Sequence, residues 1–579
     1  MLNIILYMQM VKNTSPNKPQ TKNKIVSRTV MSLKRKGMMN ASSEPLKKKK
    51  SWDARFLLTF FCFIVVGMLL FDVKIFLMGD DADYIFDAFD FVHKGLYPSG
   101  RSSLYSMMLG IPILFFGTNV VVLKCFSFLC ALLGFLFLYR AFYRKIPNWM
   151  LYSVLFFSAI NSSLQVFSSS NLSEAFFMMV QYGFIVAVFL LLGKLEKPTE
   201  RLWKYWILVG FMGLVISLSK NIAIIAPISL VVYFLMRKEW RNSLNSLGVF
   251  LVFKIPYEIL LRLIFNQNTV VSQWSQVMAK DLYHHEKGGE TFSGFIDRFF
   301  ANTQIYFSNV VLTELGFQIG KGISILASAI LVALLLFACY CSFKNNKFVF
   351  FTCIYVAIMC AGTFFALQPA VAEARIILIF VPLLLVLLLF ALHNLFAYFS
   401  KFSSFISISV LGIFLVFLFF KNLQKTFAKV QENQTMLIEN LSGDIYYGYT
   451  TDWVNYLQMG KWVKENIPDN VTVAARKPNS LTIYSDGRPY VGIYSFPTNL
   501  NADQLLMKLK QDDIQYLVVA SLRANPAQYI PGRYITTIRA YITKIEESYK
   551  SAFTIVHQIG KEETCYLVKI NYPVHIKGQ

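Results

Sequence analysis

Three carboxylates fall within four residues, Asp80, Asp81 and Asp83, directly after the first long apolar run of a 579-residue chain. Carboxylates so placed have two uses. One is to cap a helix that starts there, satisfying N–H groups that lack an intrahelical partner. The other is to act as general base, taking the proton of an acceptor hydroxyl as it attacks. Both hold if one carboxylate caps and another faces a cavity, and Asp80 and Asp81 are the catalytic candidates. Other ionisable side chains stand at the edges of later apolar runs, where charge is costly and needs a reason. Arg101 sits in a Gly/Pro/Ser turn, Glu174 follows the polar run SSSNLS, Lys220 follows one run, and Glu373 and Arg375 precede another. Arg101, Lys220 and Arg375 suit phosphate, arginine through a bidentate fork and lysine as a point charge. The plainer account of each is a snorkelling cation; for Glu174 it is a helix N-terminal carboxylate near Ser173. With Asp83, His93 and Glu373, these make up the candidate substrate-binding set. The cluster His284–Glu286 has the residue types of a metal site, although a solvated loop accounts for it better.

Positioning these residues falls to membrane-spanning elements. The chain is 55% hydrophobic and only 15% charged, against roughly a quarter charged in soluble domains. The apolar residues lie in many runs close to the length that spans a bilayer. The net charge of +23 is no nucleic-acid signature here. Much of it sits in the N-terminal tail, including Lys47–Lys50, and in short loops, as expected of cytoplasmic segments facing anionic lipid. Seven of the eight cysteines lie inside apolar runs and only Cys565 in the polar C-terminal part, so no disulfide framework is expected there.

Charge bias then sets the topology. Ser102–Gly117 is apolar but short and contains Pro112. If it crossed, every later basic loop would face out; read as re-entrant or interfacial, it lets the basic loops face in. The fold expected is an α-helical polytopic membrane protein of about 11 transmembrane helices, with the N-terminus cytoplasmic. Residues 1–55 are a basic tail. Residues 56–420 are the membrane domain, with extracytoplasmic loops 79–118 and 266–320, the latter carrying Trp274. Residues 421–579 form a small extracytoplasmic α/β domain. In the first loop Ile85, Ala88, Phe89 and Val92 share one helical face and Asp83, Asp87, Asp90 and Lys94 the other, which predicts a helix lying on the outer leaflet. On this topology the candidate residues converge on one face of the membrane.

These residues resemble those of the GT-C membrane glycosyltransferases, in the branch holding protein O-mannosyltransferases and lipid A aminoarabinose transferases. That branch shows Asp-Glu, an amphipathic helix, a Gly, then Lys-Pro-Pro-Leu-Tyr and Phe-Gly. Here Gly79–Asp83 stands at the acidic motif, with Asp81 where Glu is usual. Lys94–Gly95 stands at the glycine, Arg101-Ser102-Ser103-Leu104-Tyr105 at the next motif and Phe116–Gly117 at its end. Leu218-Ser219-Lys220 and Arg375-Ile376-Ile377-Leu378 with Pro382 are similar to later family motifs. Trp462, Glu465-Asn466-Ile467-Pro468, Ala475-Arg476-Lys477-Pro478 and Tyr516-Leu517-Val518-Val519 are similar to the outer domain of bacterial members. The departures at Asp81 and at the missing prolines bear on which carboxylate is the base and how rigid the segment after Arg101 is.

The resemblance implies a polyprenyl-phosphate sugar donor, its tail in a groove between spans, and a glycan, lipid or protein acceptor, with no nucleic acid. It implies that Asp80 activates the acceptor hydroxyl, that transfer inverts the sugar, and that Arg101, Lys220 and Arg375 stabilise the leaving phosphate. The resemblance assigns no definite cofactor, and a divalent metal fits a related reading, an oligosaccharide ligase with a polyprenyl-pyrophosphate donor. The rival from another class is a transporter or flippase, which would carry charges near the midplane and paired interrupted helices. The expected location is a bacterial inner membrane.

Overall fold

The computed structural model of the chain describes residues 53–76, 80–101, 103–196, 201–265, 277–280, 288–317, 320–369, 373–399, 404–494, 499–523, 528–535 and 537–573. The basic tail with Lys47–Lys50, together with Gly79, Ser102, Trp274 and His284–Glu286, lies outside them. The chain divides into two compact units, Met1–Leu58 and Thr59–Gln579.

Apolar composition dictates helices, because a backbone in hydrocarbon must satisfy its polar groups within its own segment. In order they are α1 (Ala54–Leu69), α2 (Asp80–Lys94), α3 (Ser103–Phe116), α4 (Val120–Phe142), α5 (Asn148–Ile160), α6 (Ser162–Ser168), α7 (Ser173–Leu195), α8 (Trp203–Ser219), α9 (Ile228–Met236) and α10 (Trp240–Phe265). Then follow α11 (Phe292–Gln304), running into a π-helical segment at Ile305–Val311, α12 (Ser324–Asn345), α13 (Lys347–Ala366), α14 (Ala374–Leu378), α15 (Val381–Phe399) and α16 (Ser404–Ser442). Among the described residues six helices are long and apolar enough to cross a membrane, or seven if α5 and α6, bent by 65°, count as one broken span. Four shorter apolar helices, Ala54–Leu69, Ser103–Phe116, Trp203–Ser219 and Asn221–Met236, fall below that length. A count of about eleven is therefore not established by helix length.

The break between α5 and α6 has a polar cause. Asn161 N–H closes α5 on Phe157 O, and its Oδ1 accepts from Leu164 N–H at 2.9 Å to open α6. Its amide then donates to Glu314 Oε2 at 3.0 Å and Asn422 Oδ1 at 2.8 Å, while Lys425 of α16 donates to Glu314 and Ser163, both at 2.9 Å. The freed backbone is thus wrapped in side-chain partners inside the protein.

One expectation is corrected at α2. Its apolar face does not lie in lipid: Ile85 and Ala88 are fully buried. The face packs on α3, where Gly110 leaves room for the Val92 methyl, 2.8 Å from where a Cβ would sit. Position 421 falls inside α16, which runs unbroken for 39 residues.

Beyond α16, α17 (Thr451–Asn466), α18 (Pro478–Tyr484), α19 (Ala502–Gln511) and α20 (Thr537–Glu546) surround a five-stranded sheet. Its strands are β1 (Val473–Ala475), β2 (Val491–Gly492), β3 (Tyr516–Val519), β4 (Phe553–Ile559) and β5 (Cys565–Ile570), in the order β2-β1-β3-β5-β4. β1 is parallel to β2 and β3; β5 is antiparallel to β3 and β4. Strand alternation sorts the core. Val473 and Ala475 face the layer of Trp453, Tyr456 and Leu481, whereas Ala474 and Leu517 face Leu505, Leu509 and Tyr541.

Candidate functional site

The acidic segment becomes a site because three elements deliver cations to it. Asp80 opens α2, and its Oδ2 accepts from Arg375 Nη2 of α14 at 2.6 Å. Arg101 Nη1 lies 3.6 Å from Asp80 Oδ1 and donates to the Asp80 backbone oxygen at 3.3 Å. The other amino group of Arg101 donates to Asp83 Oδ2, and its guanidinium stands 5.5 Å from the centre of the Tyr84 ring. Arg375 Nε donates to Glu373. Glu174, at the buried start of α7, accepts from Lys220 Nζ at 2.8 Å, and its second oxygen is buried with no hydrogen-bond partner. Burial raises the Asp80 pKa, but Arg101 and Arg375 more than offset it, leaving the carboxyl below its ordinary value. Asp87, about two turns further along α2, has no cation in ion-pair contact among the described residues; burial pushes it up to about 6.

The two adjacent aspartates part ways. Asp81, expected beside Asp80 as a catalytic candidate, is fully buried. Its Oδ2 accepts from Phe76 N–H at 2.7 Å and its Oδ1 from Ala82 N–H at 3.0 Å, so it ties the approach to α2 to the helix start. Burial pushes its carboxyl up to about 7, against the pull of buried Lys124. His93 is not brought to the cluster either. It lies at the other end of α2, about 20 Å away by helix rise. There its Nδ1 is 3.1 Å from Phe89 O and its ring stacks on Phe89.

The C-terminal region supplies what the candidate set did not foresee. Asn479 of α18 donates to Asp83 Oδ1 at 2.8 Å. Lys477, two residues earlier, lies within electrostatic reach of Asp80 and Asp83. Burial lowers its pKa more than those carboxylates raise it. The docking is reinforced where Tyr449 donates to Ile75 O at 2.7 Å, with its oxygen 2.9 Å from that of Tyr484. The one signal in the sequence was Arg476-Lys477-Pro478, basic residues just past a strand.

Beside the cluster opens a cleft bounded by Arg101 and Tyr97, by Lys220 and Asn221, and by Lys254, Tyr257 and Glu258 of α10. Lys254 pairs with Glu258 at 2.7 Å, and the hydroxyls of Tyr97 and Tyr257 are 2.8 Å apart. An acid and a base one turn apart inside an apolar stretch were the available signal for this wall. Among the described residues no three His, Cys, Asp or Glu side chains group to hold a metal ion. Asp80, Asp83, Glu174 and Glu373 are committed to guanidinium, ammonium or amide donors instead. The arrangement can hold an anion on its cations and accept a proton at Asp80.

No protein-family model matches the chain, and no curated protein matches its sequence. Solved structures do match it in fold. Apo ArnT from Cupriavidus metallidurans superposes with a TM-score of 0.53 at 12% identity, over 88% of this chain and 97% of its own. The same protein bound to undecaprenyl phosphate gives 0.51 at 12%, over 90% and 99%. Oligosaccharyltransferase AglB from Archaeoglobus fulgidus, in complex with an inhibitory peptide and a dolichol-phosphate, gives 0.52 at 11%, over 91% and 76%. These neighbours are GT-C glycosyltransferases, and the chain has their fold.

Proposed function

We propose that this chain is an integral membrane glycosyltransferase that moves a sugar from a polyprenyl-phosphate donor to an acceptor hydroxyl on the extracytoplasmic face, with inversion. The observation that carries the reading is Asp80 held between Arg101 and Arg375 at the rim of a cationic cleft. Two neighbours in fold support it, one bound to undecaprenyl phosphate and one to a dolichol-phosphate. The acceptor oxygen attacks the anomeric carbon, its proton passes to Asp80, and the bond from that carbon to the phosphate oxygen breaks. The electron pair leaves with the phosphate. Arg101, Arg375 and Lys220 meet that growing charge.

The resting ion pairs give this chemistry a trigger. Cations that hold Asp80 below its ordinary range also make it a weak base. A donor phosphate that recruits Arg101 and Arg375 draws them from Asp80, so the carboxylate gains basicity when the donor is in place. The lipid tail then leaves the cleft between spans, and about eleven crossings put the C-terminal α/β domain outside, in a bacterial inner membrane.

The test is reconstitution with undecaprenyl-phosphate-linked sugars. Asp80→Asn is expected to lower turnover by about a thousandfold or more, with expression and donor binding retained. Turnover near wild type in that variant would remove Asp80 as the base.

A further inference from the structure

The cations around the site divide by whether a carboxylate already neutralises them. Arg101 is paired with Asp83 and Asp80, Arg375 with Asp80 and Glu373, Lys220 with Glu174, and Lys254 with Glu258. Two more stand side by side at the end of a strand of the C-terminal sheet, Arg476 and Lys477, the latter within electrostatic reach of Asp80 and Asp83. Among the described residues neither is within ion-pair distance of a carboxylate. Arg476 keeps a buried Nε with no hydrogen-bond partner and lies 5.5 Å from the centre of the Tyr494 ring. A half-buried cation without a counter-ion is costly unless a ligand supplies the charge.

Their place in the sheet points the same way. Both follow the carboxyl end of β1, which lies between parallel β2 and β3. The chain goes from β1 to β2 on one side and returns to β3 on the other. In open α/β sheets ligands bind beyond the strand ends where the order reverses in this way. The pair is also held in position. Tyr456 Oη accepts from Lys477 N–H at 3.0 Å, and Asn479 is anchored on Asp83.

We propose that Arg476 and Lys477 form an anion subsite for the acceptor, taking a phosphate or carboxylate group carried near the hydroxyl that is glycosylated. This deepens the glycosyltransferase reading and rests on it for the word acceptor. The donor phosphate is already provided for, since the cleft is walled by Arg101, Lys220 and Lys254 and by no residue of the C-terminal region. Asp83 stands between the two sides, with one oxygen on Arg101 and the other on Asn479. An anion on Arg476 and Lys477 therefore arrives from the side of the sheet.

Full-length protein in lipid nanodiscs tests this by calorimetry with two probes, undecaprenyl phosphate and inorganic phosphate, the latter titrated with and without the former at saturation. Arg476→Gln/Lys477→Gln is expected to weaken inorganic phosphate by about tenfold or more while undecaprenyl phosphate stays within about twofold. Lys477→Arg is expected to retain phosphate binding, and Lys477→Gln alone to lose part of it, which serves if the double variant does not fold. Phosphate binding at wild-type strength in the double variant overturns the subsite. A parallel loss of undecaprenyl phosphate overturns its assignment to the acceptor. Wild-type protein that binds no undecaprenyl phosphate, yet loses inorganic phosphate on the double substitution, defeats the donor reading and leaves the anion subsite standing.

Discussion

Asp80 and Asp81 are neighbours in sequence with opposite surroundings, and each predicts a different behaviour with pH. Asp80 meets two guanidiniums and stays ionised below the ordinary carboxylate range. Asp81 is sealed from solvent and pushed up to about 7. Its folded pKa exceeds the unfolded one, so the folded state binds the extra proton and stability falls as pH rises between them. Wild-type protein is expected to lose about 2–3 kcal/mol between pH 5 and 8 relative to Asp81→Asn, read by unfolding in detergent at each pH. A difference that does not change with pH would show that Asp81 is ionised throughout. Arg375→Lys tests the other aspartate. Lysine keeps the charge but cannot bridge Asp80 and Glu373 with two nitrogens, so turnover is expected to fall by about tenfold. That an acidic cluster opens a site was legible from residue type. Which carboxylate faces outward was not, because successive helical residues point about 100° apart and packing alone selects one.

At the scale of elements, helical periodicity identified α2 but not its partner. Ile85, Ala88 and Val92 read as a lipid-facing stripe, and an apolar stripe looks the same whether lipid or α3 covers it. Apolar runs located α4, α7, α13 and α15. The break at Asn161 lies inside an apolar stretch and carries no local signal, since its partners Glu314 and Asn422 are distant in sequence. In the C-terminal region an α/β domain was legible as a class, but α18, only seven residues long and so without a helical period to read, is the element that reaches the site. Helix approach gives a prediction here. A Cβ at Gly210 of α8 would stand 2.6 Å from Val249 O of α10, whereas one at Gly248 meets nothing within 4 Å. Gly210→Val is expected to cost about 1–3 kcal/mol and to widen the cleft that α8 and α10 border. Gly248→Val is expected to leave both stability and activity near wild type.

At the scale of the whole molecule, the sheet-bearing region and α2 share one hydrogen bond that reports on their docking, Asn479 to Asp83. Asn479→Ala is expected to raise KM for the acceptor by about threefold to tenfold with little change in donor affinity, because it leaves one Asp83 oxygen without its donor. An unchanged KM would separate the docking from acceptor binding. Class and architecture were legible from composition, since no soluble core absorbs so many apolar runs. The docking was not, because it rests on contacts about four hundred residues apart.

Helix α16 carries that docking through its phase. Asn422, Lys425 and Thr426 bind the α5–α6 break and Glu314. Asn433 donates to Leu69 O and Phe71 O, Met436 meets Lys74, and Asn440 closes on Asp444 O and Tyr447 O. The steps between these groups, about seven residues along the helix, return to nearly the same side of the cylinder. α16 therefore works as a keyed shaft. One residue inserted after Thr426 turns every later key by about 100°, whereas seven turn them back to within about 20° at the cost of about 10 Å in length. Angle and length of the join between membrane helices and sheet can thus be varied separately, and the activities of the two insertions will tell which of them the site obeys.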